Sequence, residues 1–221
     1  MDPDRRFKDE AYAQVARLAK AVSHPRRLEL LDLLCQGAMT VEELAQKSAM
    51  SVANCSQHLQ QLKAAGLVRA EVRRQTRRYQ LVDDGVCDLL RLLHGLAERY
   101  YAELRVLYHD FMGGSPALEA LDPAGLLDRL ADQSVVLLDV RPRSEYEAGH
   151  LPGALSVPFE ALATELAKLP RERPVAAYCR GPFCVLSLHA VELLREAGFD
   201  AFRIPGGVSE WRGRVALVRE S

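Results

Sequence analysis

Cys179 and Cys184, five residues apart, are the pair in this chain whose type and spacing suit covalent chemistry. Cys179 ends the apolar run Val175–Cys179, which reads as a strand, and a helical pattern follows from Leu186 to Ala197. A strand that turns through a short loop into a helix points successive backbone amides inward, and the start of the helix adds partial positive charge. Gly181, Phe183 and Val185 are the loop positions whose backbone would form that cradle, while Pro182 contributes no amide. The setting favours an anion, so the spacing predicts a Cys179 thiol with a lowered pKa, helped by Arg180 where its guanidinium turns inward. Thiolate is the form that attacks sulfur donors. Cys184 either adds a second thiol to the loop or faces the core.

A second group of residues suits contact with a polyanion. Five arginines, Arg69, Arg73, Arg74, Arg77 and Arg78, fall within ten residues beside a single Glu. Just before them a helical pattern exposes Asn54, Ser56, Gln57 and Gln61, with Ser51 at its start, and carries His58, which either contacts phosphate or is packed. Amides and hydroxyls on a helix can read base edges in a major groove, and arginines on a hairpin can meet phosphate or the minor groove. The overall charge of −1 carries no such signal. Residues 1–112 hold 17 Lys/Arg against 15 Asp/Glu, and residues 113–221 hold 12 against 15, so the arginine run is a local concentration on a near-neutral chain.

The elements that would position these groups follow from periodicity and punctuation. Tyr12, Val15, Leu18, Ala19 and Val22 recur at helical spacing. Pro25 and Gly37 bracket a second helix ending near Cys35, and Thr40-Val41-Glu42-Glu43 reads as a capping box for a third helix reaching Lys47. Ser51 caps a fourth, running to Ala65 and closed by Gly66. Val68 to Val82 then reads as a hairpin with Arg73-Arg74-Gln75-Thr76 near its tip. Helix, turn, helix and basic hairpin predict a winged helix-turn-helix with the fourth helix in the major groove. From Asp84 to Phe111, Val86, Leu90, Leu93, Ala97, Tyr100, Leu104, Leu107 and Phe111 form a heptad seam, which predicts a dimerisation helix and an inverted-repeat operator in double-stranded DNA.

Gly113-Gly114-Ser115-Pro116 breaks that pattern, giving a DNA-binding and dimerisation domain over 1–112, a linker over 113–118 and a second domain over 119–221. In the second domain the apolar runs Val135–Val140, Leu155–Val157, Val175–Cys179 and Ala201–Ile204 alternate with helical segments, the pattern of a parallel α/β fold. The fold class expected is therefore a mainly α winged helix-turn-helix followed by an α/β domain with a parallel sheet. With 48% apolar and 27% charged residues, a charged N-terminus and no apolar stretch near the roughly 18 residues of a membrane span, a cytoplasmic protein without membrane contact is expected. Its five cysteines are then expected to be thiols.

Spaced motifs also carry two family resemblances. Ser23-His24-Pro25-Arg26-Arg27-Leu28, the helix TVEELAQ, and Ser56-Gln57-His58-Leu59 with Leu62 and Ala65-Gly66-Leu67-Val68 resemble the ArsR/SmtB winged-helix repressors. That resemblance implies a homodimeric repressor released from its operator when an effector binds or modifies it. Leu138-Asp139-Val140-Arg141 with Glu145-Tyr146, Gly149-His150-Leu151-Pro152-Gly153-Ala154, and Gly206-Gly207 with Trp211 resemble a rhodanese. The whole chain is similar to ArsR–rhodanese fusion regulators, and Cys179 stands where rhodaneses accept sulfane sulfur.

The loop departs from simple rhodaneses at its sixth position, where Cys184 replaces a frequent arginine. This weakens the case for thiosulfate turnover and supplies a second thiol. A persulfide on Cys179 could be attacked by Cys184, or both thiolates could hold a soft ion such as arsenite. The partners implied are operator DNA, a second copy of the chain and a sulfane-sulfur donor or other thiol-reactive effector; a sulfurtransferase enzyme is the alternative. No cofactor and no metal site is expected, since the metal-sensing motifs of the first family are not intact. Cys35 and Cys87 read as buried small hydrophobes more readily than as a redox pair. Cys55 reads as core, His150 as a turn holder, and Asp139 with Arg141 as a structural ion pair.

Overall fold

The imidazole of His24 accepts a hydrogen bond from the Arg26 amide at 3.2 Å, and Pro25 occupies the first turn, so helix α2 starts at Pro25 and runs to Cys35. In this computed structural model, which describes residues 2–73, 75–112, 125, 128–130, 132–211 and 215–219, the chain forms two compact units, Met1–Leu90 and Arg91–Ser221.

In the first unit α1 (Pro3–Val22) and α2 are followed by β1 (Met39–Thr40) and α3 (Val41–Lys47). The capping box forms as the sequence predicts: Thr40 Oγ1 accepts from the Glu43 amide at 3.1 Å and Glu43 accepts from the Thr40 amide at 2.7 Å. Ser51 Oγ accepts from the Asn54 amide and starts α4 (Val52–Ala64). Gly66, at φ +75°, closes it in a conformation that a side chain would strain. The wing is the antiparallel pair β2 (Val68–Arg73) and β3 (Thr76–Leu81), with Arg73 opposite Thr76. Arg74 lies outside the described residues. Strand β1 pairs with β3, a third strand that the periodicity does not announce. Leu30, Leu31, Leu44, Cys55, Leu59 and Leu62 are fully buried in one core.

The long seam helix is two helices, α5 (Gly85–Tyr100) and α6 (Ala102–Met112), interrupted at Tyr101. Its first seam positions, Val86 and Leu90, are buried in the core of the first unit, whereas Leu93, Tyr100 and Leu107 are exposed. The seam therefore divides by burial, because the start of α5 is needed to close the winged-helix core. The expected linker, 113–118, lies outside the described residues, and the second compact unit begins within α5.

In the second unit β4 (Val136–Asp139), β5 (Leu155–Ser156), β6 (Val175–Cys179) and β7 (Ala201–Gly207) form a parallel sheet in the order β5-β4-β6-β7. Between them lie α7 (Arg143–Ala148), α8 (Phe159–Glu165) and α9 (Leu186–Glu196), and α10 (Val208–Trp211) follows β7. Alternate residues of β6 point to opposite faces, so Val175, Ala177 and Cys179 join one core and Ala176 and Tyr178 the other. Burial on both faces explains the unbroken apolar run VAAYC. From β4 the chain passes to β5 on one side and then back to β6 on the other. That reversal sets a crevice beyond the carboxyl ends of β4 and β6, where Asp139 and Cys179 lie. No described helix is long and apolar enough to cross a membrane.

Candidate functional site

Cys179 is fully buried at the end of β6 and is bonded to Cys184, with the two Cα atoms 6.2 Å apart. Cys35 and Cys87 are bonded as well, and Cys55 is a free, buried thiol. Four of the five expected thiols are thus present as disulfides, and Cys35 and Cys87 are a pair rather than two isolated core residues. Both readings of Cys184 meet in one residue: it packs against the core beside Cys179 and is also its covalent partner. The Cys184 amide donates to the Gly181 carbonyl at 3.1 Å, so the loop is a closed turn between the two sulfurs. Phe183 is half exposed on that turn, and Val185 precedes α9.

Arg180 is engaged by a carboxylate of the neighbouring helix. Its Nε and Nη2 each donate to the Glu145 carboxylate at 2.8 Å, and Glu145 is buried. A buried carboxylate is costly to leave without a partner, which is why the guanidinium is drawn to it. Arg180 therefore ties the loop to α7 through Glu145. Glu145 is the residue that the sequence reading missed as the arginine's partner, although it stands in a quoted motif. Gly207, opposite Cys179 in the sheet, is required by close approach, since a Cβ there would overlap the carbonyl groups of Arg180 and Cys179.

Around this loop the structural residues fall where the sequence places them. Asp139 and Arg141 form a fully buried ion pair, 2.6 Å at its shortest, and Arg141 also donates to the Gly149 carbonyl at 2.8 Å. His150 stacks on Tyr146 with 3.7 Å between ring centres and bonds the Tyr146 carbonyl oxygen through Nδ1. Burial pushes the pKa of the Tyr178 hydroxyl upward, and that hydroxyl accepts from the Leu151 amide.

On the first unit, Ser51, Asn54 and Gln57 are exposed along the start and middle of α4, Ser56 is half-buried, and Arg77 is exposed on the wing. Two expected DNA contacts are engaged elsewhere. His58 is only 9% exposed and packs on His24, with 4.6 Å between ring centres. Gln61 is exposed, but its side-chain oxygen accepts from Arg27 at 2.6 Å. Within the arginine run, Arg78 donates to the Ala38 carbonyl and pairs with Glu43 at 3.4 Å, while Arg69 pairs with Glu71 at 3.5 Å. Arg73 is in β2, opposite Thr76. Burial, with the Glu42 carboxylate second, pushes the Cys55 thiol up to about 11, which fits an inert core residue. Among the described residues no group of three or more His, Cys, Asp or Glu could hold a metal ion.

The sequence reading also missed that α1 leaves apolar residues exposed. Phe7, Tyr12, Val15 and Leu18 lie 41% to 72% exposed on it, and only Val22 of its apolar positions is buried. Their helical spacing was legible, but not the fact that the domain's own core leaves them uncovered.

Comparison with known proteins finds two separate family matches along the chain. The bacterial regulatory protein, arsR family model matches residues 24–70, and the rhodanese-like domain model matches residues 122–214. The HTH-type transcriptional regulator Rv0324 of Mycobacterium tuberculosis is 41% identical over 199 residues, covering 90% of this chain and 87% of that protein. This chain belongs to the ArsR family of regulators and carries a C-terminal rhodanese-like domain. The rhodanese part of this ArsR-family regulator is 31% identical over 93 residues to a sulfurtransferase of Allochromatium vinosum, covering 41% of the chain and 85% of that protein. Among solved structures, the homodimeric winged helix-turn-helix domain of Mb0332 from Mycobacterium bovis is 36% identical, with a TM-score of 0.39, covering 42% of this chain and 91% of that one.

Proposed function

We propose that this regulator is a homodimeric repressor of an inverted-repeat operator, and that reactive sulfur at Cys179 and Cys184 sets its affinity for DNA. The observation that carries the reading is the Cys179–Cys184 bond at the carboxyl end of β6, where a rhodanese-like domain would take up sulfur. The Cys179 thiolate attacks the sulfane sulfur of a polysulfide, forming Cys179–S–SH and releasing the shortened polysulfide. The Cys184 thiolate then attacks the Cys179 sulfur, closing the disulfide and expelling HS⁻. The protein thiols are oxidised by two electrons and the sulfane sulfur is reduced to sulfide. A resolving thiol within the loop discharges the persulfide internally, which favours sensing over transfer to an outside acceptor.

The DNA contacts fall to Ser51, Asn54 and Gln57 on α4 and to the wing arginines Arg73, Arg74 and Arg77. The test uses reduced full-length protein and a duplex selected by that protein from a random pool. After sodium tetrasulfide, mass spectrometry should find the Cys179–Cys184 disulfide in the wild type and one extra sulfur on Cys179 in Cys184→Ser. Fluorescence anisotropy should show at least a fivefold loss of affinity in the wild type and none in Cys179→Ser. Unchanged affinity in the wild type, or an equal loss in Cys179→Ser, overturns the reading.

A further inference from the structure

Arg203 is a buried charge that the sulfur chemistry above does not use. It lies on β7 opposite Ala177, two residues before Cys179 on the neighbouring strand, and is 3% exposed. Its guanidinium reaches three separate pieces of the second unit. Nε donates to Ser187 Oγ in the first turn of α9 at 2.9 Å, Nη2 donates to the Pro182 carbonyl at 3.3 Å, and Nη1 donates to the Tyr108 hydroxyl on α6 at 2.9 Å. A guanidinium is planar and presents its donors as a fixed fork, so three acceptors bound to one fork are held in one mutual arrangement. Pro182 lies inside the span closed by Cys179 and Cys184, and its carbonyl is what the loop offers to Arg203.

We propose that Arg203 is a positioning residue that ties the cysteine loop to α6 through Tyr108, so that the disulfide or dithiol state of Cys179 and Cys184 is passed to that helix. The inference rests on the reading of this pair as a sulfur-responsive dithiol. When a thiol reductant opens the bond, two electrons and two protons go to the protein sulfurs and the reductant becomes a disulfide. The two sulfurs must then part from bonding distance to van der Waals separation, and the short segment between them has to move with them. There is room for it. A hollow of about 250 Å³ lined by Arg91, His94, Tyr108, Pro182, Phe183 and Glu210 lies beside the loop. Phe183 meets His94 of α5 edge-on across that hollow, at 4.8 Å between ring centres. A shift of the Pro182 carbonyl alters one arm of the fork, and Tyr108 is bonded to another. Contacts that differ between the two states of the loop are the physical requirement for coupling.

The test is hydrogen exchange of full-length protein, disulfide-closed and reduced, in the wild type, Tyr108→Phe and Arg203→Lys. Tyr108→Phe removes one hydroxyl from a half-buried side chain and leaves the loop's own bonds in place. In the wild type, reduction should change amide exchange across Ala102–Met112 by tenfold or more. In both variants that difference should shrink to under twofold, while in Tyr108→Phe tetrasulfide still closes the loop disulfide at the wild-type rate. No redox difference in the wild type, or an equal one in Tyr108→Phe, overturns the proposal. Anisotropy on the selected duplex separates the two ideas. If α6 responds but affinity does not, the repressor reading fails and the tie stands; if affinity responds in the wild type while Tyr108→Phe keeps the full exchange difference, the tie fails and the repressor reading stands.

Discussion

At the scale of single residues, His58 shows how burial changes what a motif position does. Its ring packs on His24, and Nδ1 has no hydrogen-bond partner among the described residues. Burial lowers its pKa, and the electrostatic influence of His24, Arg27 and Arg26 lowers it further. Folded His58 therefore stays neutral where the unfolded chain, with a histidine pKa of about 6.5, begins to take up a proton. Below that pH the unfolded state binds more protons, so this residue's contribution is fully present above about pH 6.5 and is lost as the pH falls toward the folded value. Thermal unfolding between pH 7.5 and 5.5 should lose more stability in the wild type than in His58→Gln. Parallel profiles would remove His58 as the source. The sequence placed His58 on the right helix and could not show which way it faced, because an amphipathic helix offers several polar positions and only the tertiary partner selects one. Arg180 follows the same logic, since its local sequence holds no sign of a buried carboxylate 35 residues earlier.

Among elements, those whose ends are set by local chemistry were legible from the sequence. The Thr40 capping box, Pro25 and the run VAAYC give the observed boundaries of α3, α2 and β6. Ser51 and Gly66 fix the ends of α4 to within a residue. Pairings across the chain were not legible, because each depends on distances created by folding. The two-residue strand β1 exists only through its partner β3, and the Cys35–Cys87 bond joins the end of α2 to the start of α5 across 52 residues. That bond makes its own prediction. Closing a loop of this length restricts the unfolded chain and stabilises the winged-helix unit by about 4 kcal/mol in the chain-entropy picture. Cys87→Ser should lower the urea midpoint of the first unit, and tris(2-carboxyethyl)phosphine should lower that of Cys179→Ser by a similar amount. Midpoints unchanged by both treatments would mean that the bond adds nothing to stability.

For the whole molecule, a repressor of an inverted repeat needs two copies of α4, and the exposed apolar residues suggest where the copies meet. Phe7, Tyr12, Val15 and Leu18 fall within one arc of α1, and Leu92, Leu93, Leu96 and Tyr100 within one arc of α5; all are at least 36% exposed. Stripes of this kind left uncovered by a domain's own core are what a protein interface covers. Each stripe is therefore expected to be covered by a second copy, with α1 supplying apolar surface that the heptad reading did not include. The double variant Val15→Glu with Leu18→Glu puts charge into that surface without touching a buried side chain, so each unit should keep its fold. Sedimentation should then find a dimer for the wild type and monomers for the variant. A monomer meets roughly half the phosphates, so the slope of log affinity against log salt should fall by about half, since that slope counts the phosphates neutralised. Affinity for the inverted repeat should drop by at least a hundredfold, while non-specific binding to a long random duplex, a property of each wing and α4 alone, should change far less. A variant that stays dimeric with an unchanged salt slope would remove α1 from the interface and leave α5 with α6 as the surface through which two copies meet.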